Sequence, residues 1–238
     1  MVQEKTFIIN LHGVGEAPRP HEPGEGRYWL GRAELERVLD FVQHNRRSSN
    51  IELTVDDGNC SDYEIVAPEL RKRGLNATFF VLAGRLDQVG YLRRSQLREL
   101  SEGGFEIGSH GLYHVDWTAA KDEALARELQ NSKLIIEDII GRTVTAAAAP
   151  FGLYDRRVLH TLLHFGYRYV FSSDGGPRLT SAWPIPRYSL QSGFDSAALR
   201  SRITGSAFLV SRAAAEVRIR LKSSLRRSSV QSFRKIKR

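Results

Sequence analysis

Short apolar segments alternate with amphipathic segments along the first 190 residues, and this alternation most limits the fold that the chain can adopt. Strand-like apolar runs lie at 6–11, 51–55, 77–82, 105–107, 144–149, 167–171 and 185–190. Helix-like segments lie at 33–43, 62–73, 95–101, 121–141 and 156–165. Strands separated by helices pair in parallel, because each helix returns the chain to the same end of the sheet. The sequence therefore predicts an α/β fold with a parallel sheet.

Polar residues and glycines follow several of the predicted strands. They form DDGN at 56–59, GSH at 108–110, PFG at 150–152 and SSDGG at 172–176. The carboxyl ends of parallel strands meet at one face of the sheet, where ligands bind in folds of this class. We therefore expect one functional site, built from several strand ends.

Composition excludes several other kinds of protein. The chain has 238 residues, of which 41% are hydrophobic and 26% charged, as in a folded globular protein and not in a collagen-like or disordered chain. A single cysteine, Cys60, excludes a disulfide framework and a multi-cysteine zinc site, and we interpret it as a loop thiol. No apolar run approaches the roughly 18 residues of a membrane span, and the start lacks the basic region of a signal peptide. We expect a cytoplasmic protein.

The net charge of +8 is unevenly distributed. Residues 200–238 contain twelve Lys and Arg and one acid, Glu216, so this segment carries +11 and the remainder −3. We predict a folded domain at 1–199 and a basic tail at 200–238 that is partly helical or disordered. A basic amphipathic segment is typical of proteins that lie on an anionic membrane surface. The alternative to a solvated tail is therefore a tail that lies on the inner face of the membrane. Nucleic acid is not an expected partner, because RNA binding would need aromatic residues interleaved with the basic ones, and Phe233 alone gives little support for it.

Two histidine pairs have the same spacing of four residues. His110 and His114 follow a strand end, whereas His160 and His164 lie inside a predicted helix and are interpreted as ordinary helix residues. On one helical turn, His110 and His114 would face the same side, as in other metal-binding pairs.

Two adjacent carboxylates, Asp56 and Asp57, end another strand, where such residues can also simply form a turn. Two imidazoles and one carboxylate leave coordination positions free, as in a catalytic metal site, and a second carboxylate beside them can act as a base.

Three motifs in this order resemble the polysaccharide deacetylase family, also called the NodB homology domain or carbohydrate esterase family 4. They are TVDDGN at 54–59, SHGLYH at 109–114 and APFG at 149–152, and the resemblance extends from about Leu11 to Leu190. It implies a distorted (β/α) barrel and a metal-dependent hydrolase that removes acetyl groups from N-acetylated or O-acetylated sugars of a polysaccharide or its precursor.

The resemblance also implies a role for individual residues. Asp56 would be the catalytic base, and Asp57, His110 and His114 would hold a divalent metal, with zinc the first choice and cobalt, nickel or manganese as alternatives. A backbone N–H near Phe151 would stabilise the oxyanion.

Ligating imidazoles also need an outer partner, and Ser109 is the candidate for supporting them.

The chain departs from the family pattern at the third motif. Ala148 occupies the position of an arginine that orients the catalytic base. Arg187, in PIPRYSL, is our candidate replacement.

The fourth and fifth motifs depart as well. The usual Asp-Trp is Asp-Gly at 174–175, and the late histidine that serves as general acid has no match around 189–191. Either His12 or a water held by Asp174 would then protonate the leaving amine.

Two other functions stay open on the same scaffold. One is an amidase for a different C–N bond, such as a cyclic amide or ureide, and the other is a non-catalytic carbohydrate-binding protein. Four aromatic residues could contact sugar or pack in the core: Tyr113, Trp117, Tyr154 and Trp183.

Overall fold

The described part of the chain contains eight strands and seven α-helices, which alternate as far as the sixth strand. The computed structural model describes residues 6–45, 50–178, 183–204 and 207–224. The strands are β1 Thr6–Leu11, β2 Asn50–Asp57, β3 Thr78–Val81, β4 Glu106–Ser109, β5 Ala146–Ala148, β6 Tyr169–Ser172, β7 Ile185–Pro186 and β8 Tyr188–Ser189. The helices are α1 Arg32–Asn45, α2 Ala67–Lys72, α3 Arg94–Glu102, α4 Asp122–Ile140, α5 Arg156–His164, α6 Ser196–Thr204 and α7 Ala207–Ser224. A π-helical turn, Asp62–Val66, leads into α2.

The strands form one parallel sheet in the order β7-β6-β5-β4-β3-β2-β1-β8. Its two edges are joined by a single short segment, 185–189, which we call the seam. Ile185 in β7 pairs with Phe171 in β6, and Tyr188 in β8 pairs with Ile9 in β1. The strand predicted at 185–190 is thus two short strands on either side of Arg187. This closure makes the sheet a distorted barrel, which confirms the fold that the sequence predicted.

Alternation along the strands separates two apolar clusters. Ile8, Phe80, Ala148, Phe171 and Ile185 pack together inside the barrel. Their neighbours along the strands, such as Phe7, Ile9 and Phe79, belong to the larger cluster with the helices. Because side chains alternate between the two faces of a strand, the same rule directs the polar residues near the strand ends toward the barrel interior.

Part of the predicted basic tail is helical. α6 and α7 cover the described residues between 196 and 224, and Lys222 of α7 contacts Asp174 at the end of β6. Residues 225–238, including Phe233, lie outside the described residues. No α-helix within the described ranges is long and apolar enough to cross a membrane. Binding to an anionic membrane surface and cytoplasmic localisation stay predictions.

Candidate active site

The three side chains that were predicted to bind a metal lie close together at the carboxyl ends of the strands. Asp57 ends β2, and His110 and His114 follow β4. Asp57 Oδ1 lies 3.5 Å from His110 Nε2 and 3.7 Å from His114 Nε2. One potential ligand atom from each residue lies within 4.8 Å of the other two.

The two histidines do not share a helical turn, so the sequence-based prediction of their local structure is wrong. Residues 110–114 form a loop, in which Gly111 and His114 adopt positive φ angles of 86° and 57°. This turn of the chain brings the imidazole centroids to 5.2 Å from each other. The two imidazoles therefore lie close together, as the spacing predicted, but a loop and not a helical turn brings them there.

Unusual backbone conformations concentrate at this site. Four non-glycine residues within the described ranges have a positive φ angle, and three of them, Asp57, His114 and Phe151, lie here. Such conformations cost free energy and persist where surrounding structure enforces them. At Asp57, a φ of 82° turns the end of β2.

The donor set fits a divalent cation. Asp57 Oδ1 is buried and accepts no hydrogen bond from any described residue. His110 Nδ1 donates to the Ala148 carbonyl at 2.9 Å, which leaves the lone pair of Nε2 free for a ligand. Burial lowers the pKa of His110 to about 4, so its ring is neutral near pH 7. Neutral imidazoles and an ionised carboxylate are the ligands that zinc and similar ions take.

The imidazoles have outer partners other than Ser109, the one that the sequence predicted: the Ala148 carbonyl for His110 and Glu22 for His114. His114 Nδ1 lies 3.4 Å from Glu22 Oε2, and Glu22 also pairs with Arg85. Ser109 donates to Ser132 at 2.8 Å and accepts from the Gly111 N–H at 3.1 Å. Ser109 thus contacts the backbone of the loop that carries the imidazoles and does not contact the rings.

Asp56 points into the barrel and forms a buried ion pair with Arg187. The guanidinium donates to both carboxylate oxygens, at 2.6 and 2.7 Å, and Asn10 Nδ2 donates to Oδ2 at 2.9 Å. Arg187 also donates to Asn10 Oδ1 and to Thr54 Oγ1. Burial by itself raises the pKa of Asp56, but the charge and hydrogen bonds of Arg187, together with the neighbouring His110 and His12, outweigh burial and hold the pKa well below the usual range. Asp56 is therefore ionised at neutral pH.

The arginine reaches Asp56 from the seam. Ala148, where a family arginine is expected, is buried in the cluster inside the barrel. The Arg187 guanidinium lies 5.2 Å from the Phe80 ring centroid and 5.8 Å from that of Phe171, two rings of the same cluster. Its fully buried side chain thus brings a guanidinium to Asp56 from the seam, between β7 and β8.

A cleft of about 220 Å³ opens above these residues, and we call it the central cleft. His12 and Phe151 line it, as do Asp56, Asp57 and both histidines. The His12 ring lies 4.9 Å from that of Tyr28, and its buried Nδ1 has no hydrogen-bond partner among the described residues. The half-exposed Phe151 ring lies 4.3 Å from His114.

Asp174 does not line the central cleft. Its carboxylate accepts hydrogen bonds from Tyr154 and Lys222 at 2.6 Å and from Ser172 at 2.7 Å. Tyr154 is buried with it and so does not rim the cleft. Asp174 therefore links the end of β6 to α7.

The other three aromatic candidates differ in how far they are buried. Trp117 is fully buried, so it cannot stack on a sugar. Trp183 packs against the core, and Tyr113 is exposed beside Gly84.

Segment 12–28 forms one wall of the cleft, and apart from His12 its residues were not predicted from the sequence. This segment contributes eight lining residues: His12, Arg19, Glu22, Pro23, Gly24, Glu25, Arg27 and Tyr28. Arg19 pairs with Glu25 and lies 4.5 Å from the Tyr91 ring, which fixes the segment over the barrel. Charged residues within a Gly- and Pro-rich loop that follows a strand end were the available signal.

Comparisons with known proteins show that the chain is similar in sequence to deacetylases. A family model described as polysaccharide deacetylase matches residues 43–170. The peptidoglycan-N-acetylmuramic acid deacetylase PdaA of Bacillus subtilis is 27% identical over 158 residues, which are 64% of this chain and 57% of that protein. The chitooligosaccharide deacetylase of Rhizobium leguminosarum bv. trifolii is 28% identical over 135 residues, 56% of this chain and 60% of that protein. The chain thus spans less than two thirds of the length of these relatives.

A solved structure shares the fold. The deacetylase PplD of Streptococcus pyogenes, in complex with acetate, superposes with a TM-score of 0.75 at 18% identity. The match covers 85% of this chain and 99% of that chain.

Proposed function

The chain belongs to the polysaccharide deacetylase family, and we propose that it removes acetyl groups from an N-acetylated or O-acetylated saccharide with the help of a divalent metal. The observation that carries this proposal is the juxtaposition in one cleft of Asp57, His110 and His114 with the ion pair of Asp56 and Arg187. The deacetylases named above support it as relatives.

Asp57, His110 and His114 would hold the metal, for which we propose zinc. When bound, such an ion polarises a carbonyl oxygen and lowers the pKa of a water. The Ala148 carbonyl and Glu22 fix the orientation of the two imidazoles.

Asp56 would act as the general base. It is ionised and is held by Arg187 and Asn10, so it can accept a proton from the water that attacks the acetyl carbon. The backbone N–H of Phe151 would donate to the oxygen that becomes negatively charged.

Collapse of the tetrahedral species breaks the C–N bond and releases acetate and the amine. The leaving nitrogen needs a proton, and His12 is the group that we propose to supply it. Its ring lines the same cleft, and its Nδ1 is free of other partners among the described residues.

Chelation and metal add-back test the proposal. We expect the full chain to release acetate from an N-acetylated chitooligosaccharide, to lose this activity with a chelator, and to regain it with zinc or cobalt. Asp57→Ala should abolish both turnover and stoichiometric metal binding. His160→Ala is the matched control, because His160 belongs to an i, i+4 histidine pair on the exposed face of α5. Activity that survives both chelation and Asp57→Ala would contradict the metal mechanism.

A substrate panel separates this function from the other amidase. Faster hydrolysis of cyclic amides or ureides than of acetylated oligosaccharides would replace the proposed substrate class while keeping the site.

A further inference from the structure

A second cavity, which we call the side groove, opens next to the central cleft. It measures about 390 Å³, and Tyr28, Ser173 and Ser189 line both spaces. The C-terminal helices contribute to its wall, through Arg202 of α6 and Arg218 of α7. A molecule bound in the central cleft therefore has a second space directly beside it.

Among the described residues, no carboxylate pairs with Arg202 or Arg218 in this wall. The Arg202 guanidinium lies 5.1 Å from the Tyr188 ring centroid, and Arg218 Nε donates to the Asp174 backbone carbonyl at 2.8 Å. Within the described part of the chain, neither forms an ion pair with a carboxylate. Both side chains are exposed, so N–H donors face the solvent in the groove.

The acidic side chain in the wall does not cancel this charge. Asp174 is the sole carboxylate among the described lining residues, and its charge is offset by Lys222 at 2.6 Å. Arg187 also reaches the groove but is paired with Asp56. The side groove therefore has a net positive charge, and that charge comes from the start of the basic tail.

We propose that the side groove binds an anionic group, a phosphate or a carboxylate, on the same saccharide whose acetyl group lies in the central cleft. The guanidinium group presents paired N–H donors that match the oxygens of both anions. The assignment rests on the proposed deacetylase function and narrows it to acidic acetylated saccharides. It also gives the positive charge of the tail a role within this molecule.

Matched substrates test the assignment. We would compare kcat/KM of the metal-loaded full chain on N,N′-diacetylchitobiose, on its 1-phosphate, and on a disaccharide of glucuronic acid and N-acetylglucosamine. At least one acidic substrate should be preferred over the neutral one, and the stronger preference identifies the anion. The preference should shrink as sodium chloride is raised, since exposed charges are screened by salt.

Variants connect the preference to the groove. Arg202→Gln should lower the acidic-to-neutral ratio of kcat/KM by about fivefold to tenfold, because one charged donor is lost, and Arg202→Lys should restore part of it. Arg220→Gln removes an equal charge from an exposed position on α7 outside the groove and should leave the ratio unchanged. A ratio that is the same in wild type and Arg202→Gln, or that falls equally in Arg220→Gln, overturns the proposal.

Equilibrium binding separates this proposal from the proposed function. Calorimetry on the Asp57→Ala variant measures the affinity for the same saccharides without turnover. If no substrate is deacetylated by the wild type, the proposed function fails, but tighter binding of an acidic saccharide that depends on Arg202 still supports the side groove. Equal affinity for acidic and neutral saccharides, with Arg202-dependent cosedimentation of the full chain with anionic phospholipid vesicles, overturns it in favour of a membrane surface.

Discussion

Replacement of Arg187 by methionine is the sharpest test of how the barrel holds its proposed base. The substitution fills much of the same volume but removes both hydrogen bonds to Asp56, at 2.6 and 2.7 Å. Neither side chain is accessible to water: the exposed fraction is 0% for Arg187 and 3% for Asp56. The carboxylate is then left buried, with Asn10 as its remaining donor among the described residues.

The magnitude follows from this burial. Removing one partner of a buried ion pair costs about 3–5 kcal/mol, whereas an exposed pair is worth about 0–1 kcal/mol. We therefore expect Arg187→Met to lower the free energy of unfolding by about 3–5 kcal/mol. Turnover should fall with it, because burial without the guanidinium raises the pKa of Asp56 and favours the protonated carboxyl, which cannot accept a proton.

Urea denaturation measures this free energy, and a double-mutant cycle isolates the pair. The variant Asp56→Asn with Arg187→Met removes both charges, so it should regain much of the stability lost by Arg187→Met alone. Arg187→Lys should be intermediate, since one ammonium does not reproduce a two-pronged contact. A loss below about 1 kcal/mol for Arg187→Met, with no coupling in the cycle, would refute the reasoning.

Three further substitutions test the surroundings of the site. Lys222→Met removes a cation from the Asp174 carboxylate and should lower the free energy of unfolding by about 1–3 kcal/mol in thermal melts, while Arg220→Gln leaves it unchanged. Gly108→Ala places a Cβ 2.4 Å from the Phe80 ring and should cost about 1–3 kcal/mol of stability by urea denaturation; wild-type stability would contradict this packing. Glu22→Gln weakens the outer partner of His114 and should reduce zinc affinity about tenfold by competition with a chromophoric chelator, with the exposed Glu16→Gln as control. Unchanged affinity in Glu22→Gln would remove Glu22 from the proposed site.

Local patterns were sufficient to predict most of the barrel. β2 and β3 are apolar runs bounded by polar residues, and the structure has them within two residues of the predicted ends. The convergence of Asp57 with His110 and His114 also followed, because strand ends in a parallel sheet meet at one face. These features depend on periodicity and on the fold class, both of which a single sequence contains.

Features that depend on distant contacts were harder to predict. The break of the last strand at Arg187 exists because its two halves pair with β6 and β1, which are more than 130 residues apart in the chain. The loop path of His110 to His114 depends on two positive φ angles that spacing does not reveal. Net charge likewise revealed a basic tail but not the contact of Lys222 with Asp174.

The position of the seam late in the chain limits when the site can form as the protein folds during synthesis. Asp56 emerges from the ribosome about 130 residues before Arg187, and strands β1 to β6 are complete before the partner of this carboxylate exists. Until the seam docks, Asp56 must stay hydrated or protonated, because an unpaired buried charge is too costly. The segment that closes the barrel also supplies the arginine that pairs with the Asp56 carboxylate. A nascent chain that lacks this segment can therefore have neither a closed barrel nor a paired carboxylate at Asp56.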